Sequence, residues 1–438
     1  MRPYRDVHQA DVLVFGAGPA GIAAAVAAAR RRQTVRLIEL PSVVGGVRSC
    51  CPGMMLGSGY PCGTSVGGFF EEFVGRLFDH DPPLAERRAC DLENFGDEVV
   101  YDHEYALSLL YDMLREAGVE VLANHLPCRV EVTGDEIVHV DVATTRGVEP
   151  FSAGVYVDCT GNGDIAAAAG VPSQMGDDDG RMMGATLTFF MVGVDWDRAF
   201  PPGFDPYFTQ YAERGIAAGR LPRTMPQIYL LKGFREGTVF FNTVTVTGVD
   251  GTDPRSVAKG AQVARRYVMQ LARFCREEMP GFEHSHVADI GPSLGVRETR
   301  RPEGLYRLTA ADITAATKFE DGVVACDSPL DEVFRDDSSS VYSHEAALPK
   351  GEYYTIPFRT LVPRKIKNLL FAGRARSVDL KAYASGRGMP QCMVMGQSAG
   401  VGAAMANEER CTVQQIDRAR LVRELVREGV NGIGGGRL

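Results

Sequence analysis

The hydrophobic pattern near the N-terminus predicts a strand, a helix and a second strand in direct succession. Residues 11–15 (DVLVF) form a short apolar run, small residues follow over 19–32, and 35–40 is the next apolar run. Two strands joined by one helix within thirty residues are the repeating unit of a parallel α/β sheet. We therefore predict a doubly wound, Rossmann-like α/β fold for this part of the chain.

The next part of the chain alternates between apolar and polar positions in two different ways. Residues 101–117 place Tyr105, Leu109 and Met113 four residues apart, which is the spacing of an amphipathic helix. Residues 129–132, 137–143 and 154–158 alternate as strands do, with glycine turns between them. These three segments predict a small β-meander that leads back to the sheet.

Longer elements follow, and they indicate a second domain of the α+β type. Strand patterns cover residues 185–192 and 238–246, and a long basic helix covers 254–278. Residues 369–372 form a short apolar strand pattern and residues 390–406 a helix of small residues, like the first strand and helix of the chain. We therefore expect a discontinuous nucleotide-binding domain (1–170 and 355–410) with an inserted substrate or cap domain (171–354). Residues 411–438 should hold a C-terminal helix and a flexible tail that ends in GIGGGRL.

Composition narrows the classes of function. The 438 residues exceed the roughly 250–300 that one core supports, and 45% apolar with 24% charged residues is typical of a globular protein. A net charge of −9 and a pI near 5.5 disfavour nucleic acid as a partner. The first ten residues do not resemble an export signal, and no apolar run is long enough to span a membrane. We expect a cytoplasmic protein whose ten cysteines are mostly free thiols.

A glycine-rich motif between the first strand and helix predicts a nucleotide site. In GAGPAG, Gly16 permits a tight turn, Gly18 lets the backbone approach a diphosphate, and Gly21 allows close packing of the helix. The helix N-terminus adds free N–H groups and a partial positive charge. Glu39, at the end of the second strand, is placed to accept a hydrogen bond from a ribose hydroxyl and disfavours a 2′-phosphate.

This motif alone does not separate NAD from FAD, but the surrounding sequence resembles a known family. The run DVLVFGAGPAGIAAAVAAARRRQTVRLIEL, followed by Gly45 and Gly46, is similar to the flavoproteins with two dinucleotide-binding domains, the glutathione-reductase-like fold. DCTGNGDIAAAAG (158–170), GVRETRR (295–301) and residues 368–400 resemble the FAD-dependent oxidoreductase family. The resemblance spans most of the chain and implies FAD as the cofactor.

The resemblance also implies cofactor contacts at particular positions. Thr160, Gly161 and Asp164 would lie beside the nucleotide, and Gly373 with Arg374 would contact the diphosphate, which arginine can bind through two nitrogens. The helix after Met389 would direct its N-terminus at the flavin. The remaining expected cofactor contacts are Pro19, Ala20, Leu40, Gly45, Gly46, Arg48, Val130, Cys392 and Gln397.

Three residues are candidates for the substrate side of the flavin. Arg297 and Arg387 could anchor a carboxylate, and Tyr383 could hydrogen bond to a substrate. A structural ion pair or a surface position is the competing interpretation for each of them. The resembling family often has a polar residue where this chain has Leu380, so no proton-handling role is transferred to that position.

Three hypotheses for function follow. No second strand–GxGxxG–helix unit lies between residues 170 and 368, which favours direct hydride transfer between a small organic substrate and FAD by a dehydrogenase or oxidase with an unknown electron acceptor or donor. The second hypothesis is a thiol–disulfide enzyme that uses Cys50, Cys51 or Cys62, and the third is a flavin-binding protein without catalysis. Association of this chain with further copies of itself as a homo-oligomer stays a possibility.

The sequence offers no metal site, because four histidines fit no metal-ligand spacing: His103, His284, His286 and His344.

Overall fold

A computed structural model of the chain describes residues 7–46, 53–91, 96–332, 343–345, 348–349, 351–436 and 438. Within these ranges the helices are as follows: α1 Pro19–Arg30, α2 Gly68–Phe78, α3 His103–Ala117, α4 Asp164–Ala168, α5 Trp196–Ala199, α6 Thr209–Ala217, α7 Pro254–Glu278, α8 Ala310–Thr314, α9 Met389–Glu409 and α10 Arg418–Arg427. Short 3-10 turns cover Pro61–Gly63, Phe358–Leu361, Ala382–Ala384 and Val413–Gln415.

The strands of the same residues fall into one large sheet, a second sheet of four strands and several small ones. They are β1 His8–Phe15, β2 Val35–Ile38, β3 Leu56–Gly57, β4 Ala85–Ala89, β5 Asp97–Tyr101, β6 Glu120–Leu122, β7 Leu126–Thr133, β8 Glu136–Thr144, β9 Gly147–Asp158, β10 Ser173–Gln174, β11 Ala185–Val192, β12 Leu230–Lys232, β13 Thr238–Val246, β14 His286–Ile290, β15 Arg301–Pro302, β16 Gly322–Cys326, β17 Leu330–Glu332, β18 Ser343–Glu345, β19 Tyr354–Pro357 and β20 Leu369–Phe371.

The large sheet has the order β6-β2-β1-β9-β8-β7, and β20 also pairs with β9. Strands β6, β2, β1, β9 and β20 are joined by parallel pairs, so the carboxyl ends of β1 and β9 lie at one edge of the sheet. The glycine-rich loop follows β1 at this edge, and the segment DCTGNG follows β9. The Rossmann-like α/β fold predicted from the sequence is confirmed.

Strand β9 belongs to both parts of the large sheet. Its first half pairs antiparallel with β8, which pairs antiparallel with β7, and its second half pairs parallel with β1. This is the predicted meander, and it returns the chain to the centre of the sheet. The doubling of roles makes β9 twelve residues long.

The second sheet has the order β12-β13-β11-β14, and every pair in it is antiparallel. Its apolar side chains and those of α7 form a separate hydrophobic core, whose buried members run from Ala185 to Leu294. The predicted elements 185–192, 238–246 and 254–278 match β11, β13 and α7. The expected α+β character of this region is confirmed.

Two helices that are rich in alanine and glycine pack closely over the first sheet. A Cβ atom at Gly396 of α9 would overlap the carbonyl oxygen of Ala20 in α1, and one at Gly400 would overlap that of Ala24. Both helices are almost entirely buried. The approach of backbone to backbone holds the N-termini of α1 and α9 in one region of the molecule.

The structure corrects several details of the sequence analysis. Helix α3 begins at His103 because Asp102 caps it, and Tyr105 is 53% exposed, so it does not belong to the buried face. Ile433 is buried in the first core, so the C-terminal segment expected to be flexible is packed at that residue. The domain bounds stay a prediction; residues 305–330 contribute side chains to the first core, which makes the second core shorter than 171–354.

Candidate functional site

The glycine-rich loop has the geometry that a diphosphate cradle requires. Gly16 has a φ of +91°, and a Cβ there would lie 2.5 Å from the Cys159 carbonyl oxygen. A Cβ at Gly21 would overlap the Gly16 carbonyl oxygen, so helix and loop could not approach as they do. At Gly18 the nearest atom to such a Cβ would be Gly46 Cα at 3.8 Å, so this glycine leaves space above the backbone. Gly18 is also the N-cap of α1, which directs free N–H groups into that space.

Glu39 is held against the loop by two backbone amides. One carboxylate oxygen accepts from the Ala17 N–H, and the other accepts from the Leu40 N–H at 2.8 Å. Burial raises the pKa of Glu39, and the two amides oppose this effect. The carboxylate is therefore half-buried beside the cradle and not turned into bulk solvent. Its hydrogen bond to a sugar hydroxyl stays a prediction.

Asp158, at the end of β9, organises the second loop of the site. One of its carboxylate oxygens accepts from the Thr160 N–H at 3.0 Å and from the Thr160 hydroxyl at 2.7 Å. The other accepts from the Ala166 N–H at 2.9 Å and so fixes the start of α4. The pKa of Asp158 is raised by its complete burial, which these hydrogen bonds oppose. Asp164, the predicted contact, is exposed and pairs with Arg300 at 2.8 Å.

Arg374 joins the first domain to the second at this edge of the sheet. It follows Gly373, whose φ is +80°. One guanidinium nitrogen donates to Asn162 Oδ1 at 2.8 Å, and another donates to Thr299 Oγ1 at 3.1 Å. A Cβ at Gly161 would lie 2.8 Å from the same guanidinium. The predicted residues Gly161, Gly373 and Arg374 are thus brought together.

The first turn of α9 adjoins the cradle. A Cβ at Gly373 would lie 3.0 Å from Ala20 Cβ and 3.9 Å from Cys392 Sγ. The helix starts after Gly388 with Pro390 in its first turn, so its leading N–H groups are available to a ligand. Four parts of the site suit a flavin adenine dinucleotide. They are the glycine-rich loop, Glu39 beside it, the Arg374 guanidinium and the N-terminus of α9. The residues present therefore fit FAD.

The comparison with protein families agrees with this geometry. The model of the family described as "FAD dependent oxidoreductase" matches residues 11–425, which is nearly the whole chain. The chain belongs to the FAD dependent oxidoreductase family. The finer likeness to glutathione-reductase-like proteins stays a resemblance, and no curated protein matches the chain.

Solved structures show the same fold at low sequence identity. A geranylgeranyl bacteriochlorophyll reductase-like protein from Thermoplasma acidophilum is 14% identical, with a TM-score of 0.52 over 97% of this chain and 84% of that chain. A triple mutant of the flavin-dependent brominase Bmp2 is 11% identical, with a TM-score of 0.51 over 95% of this chain and 84% of that chain. At these identities the likeness concerns the fold alone.

In this FAD-dependent oxidoreductase, residues 295–301 run between the second sheet and the cradle. Arg297 donates to the Gly184 carbonyl at 3.1 Å, to the Thr186 hydroxyl and to Asn242 Oδ1 at 3.3 Å. Two residues later, Thr299 is bonded to Arg374 and also donates to the Gly161 carbonyl at 3.3 Å. The segment thus links the second sheet, through Arg297, to the cradle, through Thr299.

Buried charges on the same segment hold it in place. Glu298 is completely buried and pairs with Arg301, and it accepts from the Met183 N–H at 3.0 Å. Arg301 donates to the Gly176 carbonyl at 2.8 Å. A buried pair with further hydrogen bonds is costly to break from one side. The position of Arg297 is therefore fixed by its chain neighbours as well as by its own hydrogen bonds.

The other two substrate-side candidates differ in their surroundings. Tyr383 is completely buried, and its ring lies 5.8 Å from Arg376 Cζ and 6.0 Å from Arg301 Cζ. Because no surface of this tyrosine is accessible, the expected contact with a substrate does not fit its position. Arg387 is half-buried just before α9, and its carbonyl accepts from Cys392 Sγ at 3.5 Å.

Several expected cofactor residues are structural in part. Gln397 accepts from the Phe69 N–H at 2.9 Å and donates to Glu428 at 2.8 Å, so its amide links α9 to α2 and the C-terminal region. Val130 packs on the core between the meander and α4. Gly45 donates to the Ala17 carbonyl at 2.7 Å. Their cofactor contacts, and those of Pro19, Ala20, Leu40, Gly46 and Thr160, stay predictions; Arg48, Cys50 and Cys51 lie outside the described residues.

The described part of the chain has neither a helix suited to a membrane nor a side-chain cluster suited to a metal ion. There, no helix is both long and apolar enough to cross a membrane. No three side chains of histidine, cysteine, aspartate or glutamate come together there in a way that could hold a metal ion. The eight cysteines within the described ranges are free thiols.

Sequence reasoning missed the residues that act across the domain boundary. Asn162 and Thr299 accept hydrogen bonds from Arg374, and Asp158 holds the loop that contains Thr160 and Gly161. Asp158 had a signal, since an acid at the end of a central strand before a glycine turn is placed to cap that turn. Asn162 and Thr299 belong to the two quoted segments 158–170 and 295–301, but their positions are 137 apart in the sequence and nothing in it signalled that both contact Arg374.

Proposed function

We propose that this FAD-dependent oxidoreductase is a dehydrogenase or oxidase that takes a hydride from a small organic substrate held by the second domain. An outside acceptor then takes the electrons from the cofactor. The observation that carries this proposal is the antiparallel second sheet beside the FAD cradle.

The architecture of the second domain supports transfer without a bound nicotinamide nucleotide. Nicotinamide domains of the Rossmann type need a parallel strand–glycine turn–helix unit. Between residues 171 and 304, where the structure describes every position, no two strands pair in parallel. The sequence of this region also lacks a GxGxxG motif. The region is therefore better suited to covering a substrate than to binding NAD.

The surroundings of Arg297 favour a substrate that carries a hydrogen-bond acceptor or an anionic group. Its guanidinium is half-buried and bonded to three uncharged oxygen atoms, and no ion pair includes it among the described residues. These three bonds orient the group, yet they leave its charge uncompensated. Two residues away the chain contacts Arg374, so we infer that Arg297 orients the substrate next to the cofactor.

The chain's own groups would do the following in this reaction. FAD, when bound, supplies the ring that accepts a hydride. The loop around Gly18 and the Arg374 guanidinium hold its diphosphate, and Glu39 orients its sugar. The N-terminus of α9 stabilises negative charge on the ring by about 0.3–2 kcal/mol. The second domain excludes water from the reacting carbon.

Anaerobic reduction of the bound flavin tests the proposal. The purified holoenzyme is mixed with a panel of amines, alcohols, hydroxy acids and enoyl compounds, and its absorbance near the flavin bands is followed. Bleaching by at least one organic donor, with recovery on admission of oxygen or a dye, is the expected result. Rapid bleaching by NADH or NADPH and by no organic donor contradicts it.

The thiol–disulfide hypothesis concerns Cys62 in the described part of the chain. This thiol is exposed, and its pKa is raised by partial burial and by Asp327. A raised pKa lowers the fraction of thiolate, which is the nucleophile. We therefore expect Cys62→Ser to keep full turnover. A loss of flavin reduction in this variant, with FAD still bound, would favour the thiol enzyme instead.

A further inference from the structure

Arg376 is a buried positive charge that the proposed function does not yet use. Its side chain is 0% exposed. One guanidinium nitrogen donates to the Ser385 carbonyl, whereas Nε and Nη1 have no hydrogen-bond partner in the part of the chain that the structure describes. No carboxylate forms an ion pair with it among the described residues. Burying an uncompensated charge costs several kcal/mol, so such a group is retained where its charge has a use.

Among the described residues, the groups that contact Arg376 carry no charge. The ring of Tyr383 lies 5.8 Å from Arg376 Cζ, and the hydroxyl of Tyr354 is 2.8 Å from that of Ser385. Burial raises the pKa of the thiol of Cys326 and that of the hydroxyl of Tyr354, so both stay protonated at neutral pH. Arg301 Cζ lies 6.0 Å from the centre of the same ring, and its charge is paired with that of Glu298. The guanidinium is thus held by dipoles and an aromatic face, and its charge is not cancelled locally.

Arg376 lies directly behind the loop that leads into α9. A Cβ at Gly386 would be 2.7 Å from the Tyr354 hydroxyl and 3.7 Å from Arg376 Nη2, so this loop rests on the guanidinium. The loop continues to Gly388, the N-cap of α9. Inside the first turn, burial raises the pKa of Cys392 to about 11, against the charges of Arg376, Arg374 and Arg387. The field of Arg376 therefore reaches the helix end that faces the cofactor.

We propose that Arg376 is a positioning charge for the redox step: its positive field, added to that of the α9 N-terminus, stabilises the negative charge that FAD gains on reduction. The inference rests on the proposed hydride transfer. A hydride brings two electrons and one proton from the substrate carbon, the substrate is oxidised, and the flavin gains one negative charge. In a low dielectric, a fixed positive charge near the flavin raises the flavin's reduction potential even when the charge does not contact the ring.

The first test is the two-electron midpoint potential of the holoenzyme, measured with a chemical reductant and a reference dye. In Arg376→Met the equilibrium constant for reduction should fall at least tenfold, which corresponds to about 30 mV towards more negative potential. Arg376→Lys should stay within about threefold of the wild-type constant because it keeps the charge. Tyr354→Phe removes a neighbouring hydroxyl without a change of charge and should leave the potential unchanged. Equal potentials for Arg376→Met and the wild type would overturn the proposal.

A second test needs no variant and stands if Arg376→Met fails to fold. If the reduced flavin stays anionic between pH 6 and 8, one proton accompanies two electrons, and the wild-type potential falls by about 30 mV per pH unit. A slope of about 60 mV per pH unit throughout this range, a hundredfold change in the constant, means two protons and overturns the proposal. Both tests use a chemical reductant, so an absence of bleaching by organic donors would count against the proposed function and not against this inference.

Discussion

The cofactor cradle and the domain boundary meet at the same site, but different kinds of contact build them. The cradle depends on backbone geometry at Gly16, Gly18 and Gly21, within six consecutive residues. The boundary depends on side chains that are far apart in the sequence, such as Arg374 with Asn162. A motif determines the first almost alone, whereas the second exists only when both domains are folded. A dinucleotide site therefore follows from local sequence, whereas the choice of substrate depends on long-range contacts.

The largest effect is expected where the cradle has no room at all. Gly21→Val would force the side chain into the Gly16 carbonyl, and the backbone cannot move without separating α1 from the sheet. We expect little folded protein and no bound FAD, measured by soluble yield and by flavin content. Gly75→Ala is the control, because a Cβ there meets nothing within 4 Å and alanine stabilises a helix interior by roughly 0.5–1 kcal/mol. Normal FAD content in Gly21→Val would refute the account of the cradle.

At the boundary, Arg297→Met should affect turnover and leave the cofactor in place. Hydrogen bonds to charged groups contribute about 1.5–3 kcal/mol, so kcat/KM for the substrate found in the anaerobic panel should fall about 10- to 100-fold. Flavin content should not change. Arg198→Met, in the same domain, removes an exposed ion pair with Glu283 and should keep kcat/KM. An unchanged kcat/KM for Arg297→Met would mean that Arg297 does not contact the substrate.

Arg374→Lys probes the point where the two regions meet. Lysine keeps the charge but cannot bind Asn162 and Thr299 at once, nor grip a diphosphate with two nitrogens. FAD should therefore dissociate about tenfold more readily, for a loss near 1.4 kcal/mol, as measured by fluorescence on dilution. Arg300→Lys, which only alters the exposed pair with Asp164, is the control. Equal FAD affinity in both variants would mean that Arg374 does not contact the diphosphate.

The smallest effect concerns Glu39 and pH. Burial raises its pKa above the unfolded value of 4.5, so the native state holds the proton more firmly than the unfolded chain does. The contribution of this group to stability is fully present below pH 4.5 and is lost as the pH rises through the folded pKa. In apoprotein, Glu39→Gln should flatten this part of the curve of unfolding free energy against pH. Glu120 is an exposed partner of Arg36, and Glu120→Gln is the control that should leave this part of the curve unchanged. If Glu39→Gln gave the same curve as the wild type, the assignment to Glu39 would be contradicted.

Sequence reasoning recovered the parts of the fold that local patterns determine. β11, β13 and α7 were predicted to the residue, since the pattern of apolar positions marks them directly. The start of α3 was placed two residues early because Tyr101 is apolar, yet it completes β5. Only the cap at Asp102 separates strand from helix.

The site divides in the same way. Gly16, Gly18, Gly21 and Glu39 form one unit, as the motif predicts. Tyr383 was expected to contact a substrate and is instead completely buried near two arginines, because a sequence does not show the burial of a residue in a short 3-10 turn. Arg376 was not singled out at all. Its significance comes from missing partners, which only a three-dimensional structure shows.

A crystal structure of the protein with FAD tests the central claim most directly. The account predicts the diphosphate within hydrogen-bond distance of the amides at the start of α1 and of the Arg374 guanidinium. It also predicts a ribose hydroxyl on Glu39 and the flavin ring at the N-terminus of α9. A diphosphate bound elsewhere, with Glu39 still occupied only by the Ala17 and Leu40 amides, would contradict it.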